Sequence, residues 1–194
     1  MAEAKSTAGD VMDAAASSAG QRTAGVAGLL RGFLALQQRR AEAYSKLRRG
    51  FSEYMANGGE CAYQQLCGNV TAEFNDCSTQ ILEMVSLFSK PNFCRGDLAN
   101  LLKDVQACER DKLELTARIQ VLKKAGRPSE RLTPKGAKYD AALKEAIQSI
   151  QEAVTRINEH MEEVRYEIDA LEADTVDSRL SEVEEAFPDA LLIE

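Results

Sequence analysis

The side chains best equipped for chemistry in this 194-residue chain are five cysteines and a single histidine. Cys61, Cys67, Cys77, Cys94 and Cys108 stand at irregular spacing, and none of them forms a Cys-x-x-Cys pair of the kind that turns two thiolates toward one zinc ion. His160 lies far away in sequence, beside Met161 on an apolar helical stripe, which suits a boundary position better than a proton-transfer role. Cys67, Cys77 and Cys108 fall on apolar stripes, where a reduced thiol packs as a small hydrophobe. Structural, reduced cysteine implies a reducing compartment, nuclear and/or cytoplasmic. The chain has no glycine-rich phosphate loop followed by Lys-Ser/Thr, no nucleophile elbow and no His-Glu-x-x-His. Its carboxylates ride on charged helix faces. These features lead to the expectation of a non-enzyme, with no catalytic residue, no cofactor and no metal.

The basic groups offer a different chemistry. Arg39, Arg40, Lys46, Arg48 and Arg49 crowd one helical stretch, interleaved with Tyr44 and Phe51. Lys123, Lys124, Arg127 and Arg131, followed by Lys135 and Lys138, crowd a turn further on. Either cluster could grip phosphates through charge-assisted hydrogen bonds and counterion release, or stand as a solvated face neutralised by neighbouring acids. Arg40 is the sharper case, because it and Gln37 interrupt an apolar stripe. It either snorkels or meets an acid across the bundle as a register-setting contact. Net charge is −7, but residues 159–194 hold 13 acids and two bases, so the rest of the chain is mildly basic. An anionic partner is therefore not excluded by the average, since fields act over about a Debye length.

Helices must position all of these groups. Leu30, Phe33, Tyr44, Leu47, Phe51 and Tyr54 share one helical stripe until Asn57-Gly58-Gly59 stops it. Tyr63, Leu66, Val70, Phe74, Cys77, Ile81, Met84 and Phe88 mark a second helix ended by Pro91. A third, N-capped by Asp97, carries Leu98, Leu101, Val105, Cys108, Leu115, Ile119 and Leu122, with Lys112 breaking the stripe once. The fourth opens at Thr133-Pro134. Its Leu143, Ile147, Ile150, Val154, Ile157, Met161, Val164, Ile168 and Leu171 repeat every 3.5 residues on average, the seam of a coiled coil. The spacing thus predicts an all-α, elongated four-helix antiparallel bundle or coiled coil built from two helical hairpins. The expected helices cover about 24–56, 60–89, 98–125 and 135–173, within a bundle of 24–173. Residues 1–23, rich in Ala, Gly and Ser, read as a disordered leader. Residues 174–194 read as an acidic tail in which Leu180, Val183, Ala186 and Phe187 suit a short helix stopped at Pro188, while the Asp189–Glu194 end, with Leu191, Leu192 and Ile193 together, reads as a docked or frayed terminus or as a motif for a partner's groove. No apolar run is long enough for a membrane span, and the seam suits an intramolecular partner or a homo-oligomer equally.

The run from Gln38 to Phe51 reads Gln-Arg-Arg-Ala-Glu-Ala-Tyr-Ser-Lys-Leu-Arg-Arg-Gly-Phe, with Tyr54 just beyond. With Glu109-Arg110-Asp111-Lys112-Leu113-Glu114-Leu115-Thr116 and Val164-Arg165-Tyr166-Glu167-Ile168, it resembles the "required for excision, B-type" family of DNA-repair proteins over about residues 26–172. The resemblance implies a part in excision repair of damaged DNA and brings no catalytic or DNA-contacting residue with it. The leading expectation is therefore an accessory protein working through protein–protein contacts, with repair-complex subunits as partners and weak DNA contact possible. A coiled-coil scaffold unrelated to repair and a direct nucleic-acid binder are the competing readings.

Overall fold

A computed structural model describes the backbone of residues 7–125 and 134–186 and the side chains of 20–125 and 138–177. Among the described residues there are four helices and no strand: α1 (Thr7–Asn57), α2 (Glu60–Phe88), α3 (Gly96–Ala125) and α4 (Pro134–Ala186). Each helix packs on its neighbours in sequence, and α1 closes the ring on α4. This is the bundle of two antiparallel hairpins that the apolar stripes predict. No helix among the described residues is long and apolar enough to cross a membrane.

The turns follow from local chemistry. Gly58 and Gly59 both take positive φ, at 77° and 94°, which side chains with a Cβ resist. The Gly58 N–H closes on the Tyr54 carbonyl at 2.9 Å while the Gly59 carbonyl accepts from the Tyr63 N–H at 3.1 Å, so one helix ends as the next begins. Between α2 and α3 the chain folds over Pro91, and Phe93 turns back onto Phe88 with ring centroids 6.3 Å apart. Arg95 then ties this connection to the bundle, pairing with Asp97 at 2.6 Å and with Glu167 of α4 at 2.5 Å. Its guanidinium holds the Asp97 carboxyl below the usual carboxylate range.

Four expectations change. The first helix begins at Thr7 rather than near residue 24, because alanine-rich sequence extends an existing helix at little cost. Asp97 is not the N-cap. The helix starts at Gly96, two residues earlier than expected, with the Arg95 carbonyl accepting from Ala99 N–H, and Asp97 sits in the first turn, where a carboxylate suits the helix dipole. The separate short helix expected after residue 174 is instead continuous with α4, since no Gly or Pro intervenes before Pro188. The 187–194 end lies outside the described residues. Finally, the α4 seam is buried in only part of its length. Ile157, Met161, Val164 and Ile168 are in the core, but Ile147 and Val154 are 39% and 36% exposed while Ala146 and Ala153 are buried instead. In that stretch α4 lies close against a neighbour through its alanines, and the larger side chains are displaced to the flank.

The main core draws on all four helices, with Phe33, Ile81, Leu102 and Val164 among its fully buried members. Nearer the Gly58–Gly59 turn a second cluster of Ala43, Leu47, Val70 and Phe74 draws on α1, α2 and, through Leu113, α3. Phe33→Ala is expected to cost about 3–5 kcal/mol by lost transfer energy plus the cavity left behind. Leu82→Ala, at a position 56% exposed on α2, should stay within about 0.5 kcal/mol of the parent. Urea unfolding followed by far-ultraviolet circular dichroism measures both.

Candidate functional site

The two apolar clusters are separated by a layer of polar side chains. Arg40 of α1 is 3% exposed. Its Nη2 donates to Ser78 Oγ of α2 at 2.8 Å and its Nη1 to Gln37 Oε1 at 3.5 Å. Glu109 of α3, also buried, acts on it electrostatically, although burial is the stronger influence and leaves the Arg40 pKa below its ordinary value. Lys112 caps the layer on the α3 side, 3.3 Å from Glu109 Oε1 and with its ammonium 4.0 Å from the centroid of the Tyr44 ring. The Tyr44 hydroxyl donates to the Glu109 carbonyl oxygen at 3.3 Å, and its ring packs on Phe74 at 4.6 Å. Gln106 Nε2 donates to the Ser78 carbonyl oxygen at 3.3 Å. Two amide atoms in this layer, Gln37 Nε2 and Gln106 Oε1, are buried with no hydrogen-bond partner among the described residues.

The expected anion contacts are therefore scattered. Arg40 is removed from them: a buried guanidinium already shared between Ser78 and Gln37 presents no face to a phosphate. Arg39 pairs with Asp76 at 2.9 Å and Lys46 with Glu73 at 3.1 Å, so α2 supplies the acids that neutralise this part of α1. The Asp76 carboxyl is held below its usual range by the Arg39 hydrogen bond. Lys124 pairs with Glu60 at 3.1 Å and lies 5.1 Å from the Tyr54 ring centroid. Arg48, Arg49 and Lys123 are exposed, with no ion-pair partner among the described residues. Arg127 and Arg131 fall outside the described residues, so the second basic cluster is seen only at its edges. Between α3 and α4 runs a groove of about 760 Å³ whose lining includes Asp111, Glu114, Glu152 and Glu159, with Arg156 its one base.

The other groups singled out for chemistry take quiet positions. All five cysteines are free thiols, with Cys77 and Cys108 buried. Burial pushes both of those thiols up, away from the thiolate that a nucleophile needs. His160 Nδ1 is 3.7 Å from Glu163 Oε1, one turn along its own helix. Sequence reasoning flagged Gln37, Arg40 and Lys112 as interruptions of apolar stripes. It missed Ser78, Gln106 and Glu109, whose signal was their spacing: Gln106 and Glu109 each stand one residue past a core position, at Val105 and Cys108.

The layer makes two predictions. Removing the cation with Arg40→Ala strands Ser78, Gln37 and the buried Glu109 carboxylate, and should cost about 3–5 kcal/mol. Arg39→Ala breaks only an exposed pair and should cost less than about 1 kcal/mol. Urea midpoints of the two variants make the comparison. Tyr44 supplies the second. Burial holds its phenol protonated well above the ordinary tyrosine range. The folded-state pKa is the higher one, so this contribution is intact below about pH 10, the ordinary tyrosine value, and is lost as pH rises above it. Stability should fall between about pH 9 and about pH 11, and Tyr44→Phe should fall less steeply over the same interval. Urea titrations at the two ends read the difference.

A protein-family model described as DNA repair REX1-B matches residues 28–123. The match takes in the Gln38–Phe51 run and the Glu109–Thr116 block. It stops short of the Val164–Ile168 block, so the resemblance read over about 26–172 is narrowed to the first three helices. No curated protein and no solved structure matches the chain. The matched stretch is the part of α1, α2 and α3 that builds the buried polar layer, and over it the chain is similar to a REX1-B-type DNA-repair family.

Proposed function

We propose that this protein is a non-enzymatic accessory factor in DNA excision repair that acts through protein–protein contacts made by its helix faces. The process rests on the REX1-B match over 28–123. The mode of action rests on one observation above all: the part of the α1 basic run from Arg39 to Lys46 is internally neutralised. With Arg40 buried, Arg39 on Asp76 and Lys46 on Glu73, a phosphate must displace carboxylates already in place before it can bind there. The acid-lined groove between α3 and α4 repels a polyanion as well. Repair-complex subunits are the partners this reading calls for. Free thiols, two of them exposed at Cys61 and Cys94, favour a reducing compartment, and the process favours the nucleus.

Direct DNA contact is a secondary reading that Arg48, Arg49 and Lys123 favour, because they have no acid to displace. Three phosphate contacts give a salt slope of at most about −3 in log K against log salt. An affinity that falls more steeply than this on duplex DNA marks a dedicated nucleic-acid binder and removes the protein–protein reading. For the process itself, cells lacking the protein should lose survival after ultraviolet irradiation and regain it on re-expression. Repair subunits should co-purify with the tagged chain more strongly after damage. Unchanged survival overturns the assignment.

A further inference from the structure

Along both α1 and α4 the apolar columns pass from buried to exposed near the level of the polar layer. Ala27, Leu34, Ala41, Arg48 and Met55 stand at seven-residue intervals along α1. The first is buried, the second half-buried, and the last three are exposed. On α4 the column Ile168, Met161, Val154, Ile147 runs the opposite way and makes the same change, from buried to exposed. An ion pair between Arg31 and Glu172, one turn from Ala27 and from Ile168, fixes how the two helices align. Stepping equally down the two antiparallel helices from that bridge puts Arg48 level with Val154 and Met55 level with Ile147. The two columns lose their cover together. In agreement, the apolar cluster at this end contains no α4 side chain among the described residues, whereas the main core contains four.

The uncovered ends of the two columns thus line a slot between α1 and α4. Its walls are apolar at Ile147, Val154 and Met55, the last of these 48% exposed. Its charge is positive: Arg48 has no ion-pair partner among the described residues, Lys144 flanks Ile147, and a single acid, Asp140, extends the α4 column. The ligand that fits is an acidic segment with apolar residues repeating at three and four. This chain carries one. Residues 178–194 hold five acids and one base, and Leu180, Val183 and Phe187 have that spacing. The segment cannot serve its own slot, because Val154 and Leu180 are separated by about 39 Å of continuous helix.

We propose that the C-terminal segment 178–194 of one copy docks in the α1–α4 slot of a second copy. Leu180, Val183 and Phe187 then lie against Ile147, Val154 and Met55, and the acids of the segment face Arg48. The inference is independent of the repair assignment. The test uses full-length chains in two complementary forms. One has a damaged slot (Ile147→Asp with Val154→Asp) and the other a damaged tail (Leu180→Asp with Phe187→Asp). Both changed slot positions are exposed, so the first form should keep its helical circular dichroism. By light scattering across a concentration series the parent should move from one copy toward two, and each variant alone should need at least tenfold higher concentration. Mixed together, the two variants should associate again, since one still offers a tail and the other a slot. A peptide of residues 178–194 should bind the damaged-tail chain and not the damaged-slot chain. As a charge swap, Arg48→Glu should abolish peptide binding and a peptide carrying Glu182→Lys, Glu184→Lys and Glu185→Lys should restore it. A parent that stays single at every concentration, a peptide that fails to bind, or binding indifferent to Ile147 and Val154 each overturns the proposal.

Discussion

A guanidinium cannot leave water without compensation, and the burial of Arg40 is the constraint around which this bundle is organised. Desolvating an unpaired charge costs several kcal/mol even after the protein relaxes. The three helices nearest Arg40 must therefore bring polar atoms to one level. Ser78 comes from α2, Glu109 and Gln106 from α3, Gln37 from α1 itself. A shift of any of these helices by one turn, about 5.4 Å, would put Arg40 among leucines and phenylalanines. Apolar packing alone tolerates such slips far better, because one heptad resembles the next. The layer contributes little net stability compared with a well-packed apolar substitute. What it supplies is register, the role for which buried polar groups are best attested.

The same constraint explains why surface charge on this protein is poor evidence for a nucleic-acid partner. Once Arg40 fixes α1 against α2, the residues around it are fixed too. Arg39, one position earlier, falls opposite Asp76, and Lys46 falls opposite Glu73. Each exposed pair contributes little to stability, yet each raises the cost of presenting its base to a phosphate. The register thus decides the electrostatic character of the face.

Periodicity made the helices, their order and the hairpin turns legible. Apolar spacing gives the phase of a helix surface directly, and Gly58-Gly59 and Pro91 mark where a helix must stop. The interruption at Gln37 and Arg40 was legible as an interruption. Its partners were not, because a stripe on one helix says nothing about which level of a neighbour it meets. Glu109 looked like one more acid on a charged face until α3 was set beside α1. The seam of α4 misled for a related reason. A 3.5-residue repeat says that a helix has an apolar side and leaves open how far along its length a neighbour covers that side. Ala146 and Ala153 are also apolar at heptad spacing, one position before Ile147 and Val154. A small side chain lets two helices come close, so the alanine column took the contact and the larger residues were left on the flank.

The polar layer also marks where the bundle changes its construction. On one side, toward Phe93, four helices share a core and α1 meets α4 through the Arg31–Glu172 bridge. On the other, three helices share a smaller cluster that, among the described residues, includes no α4 side chain. A four-helix layer buries apolar residues from every member, so a helix that leaves the layer must either turn its apolar column elsewhere or leave it uncovered. Helix α4 does part of each: its alanines are buried and its isoleucine and valine remain half in solvent. Straightness has the same consequence. With no Gly or Pro between Ala146 and Ile168, α4 cannot kink back toward α1 below the polar layer. The opening is thus a consequence of a stiff helix attached firmly at one end, which a bend in α4 is not available to close.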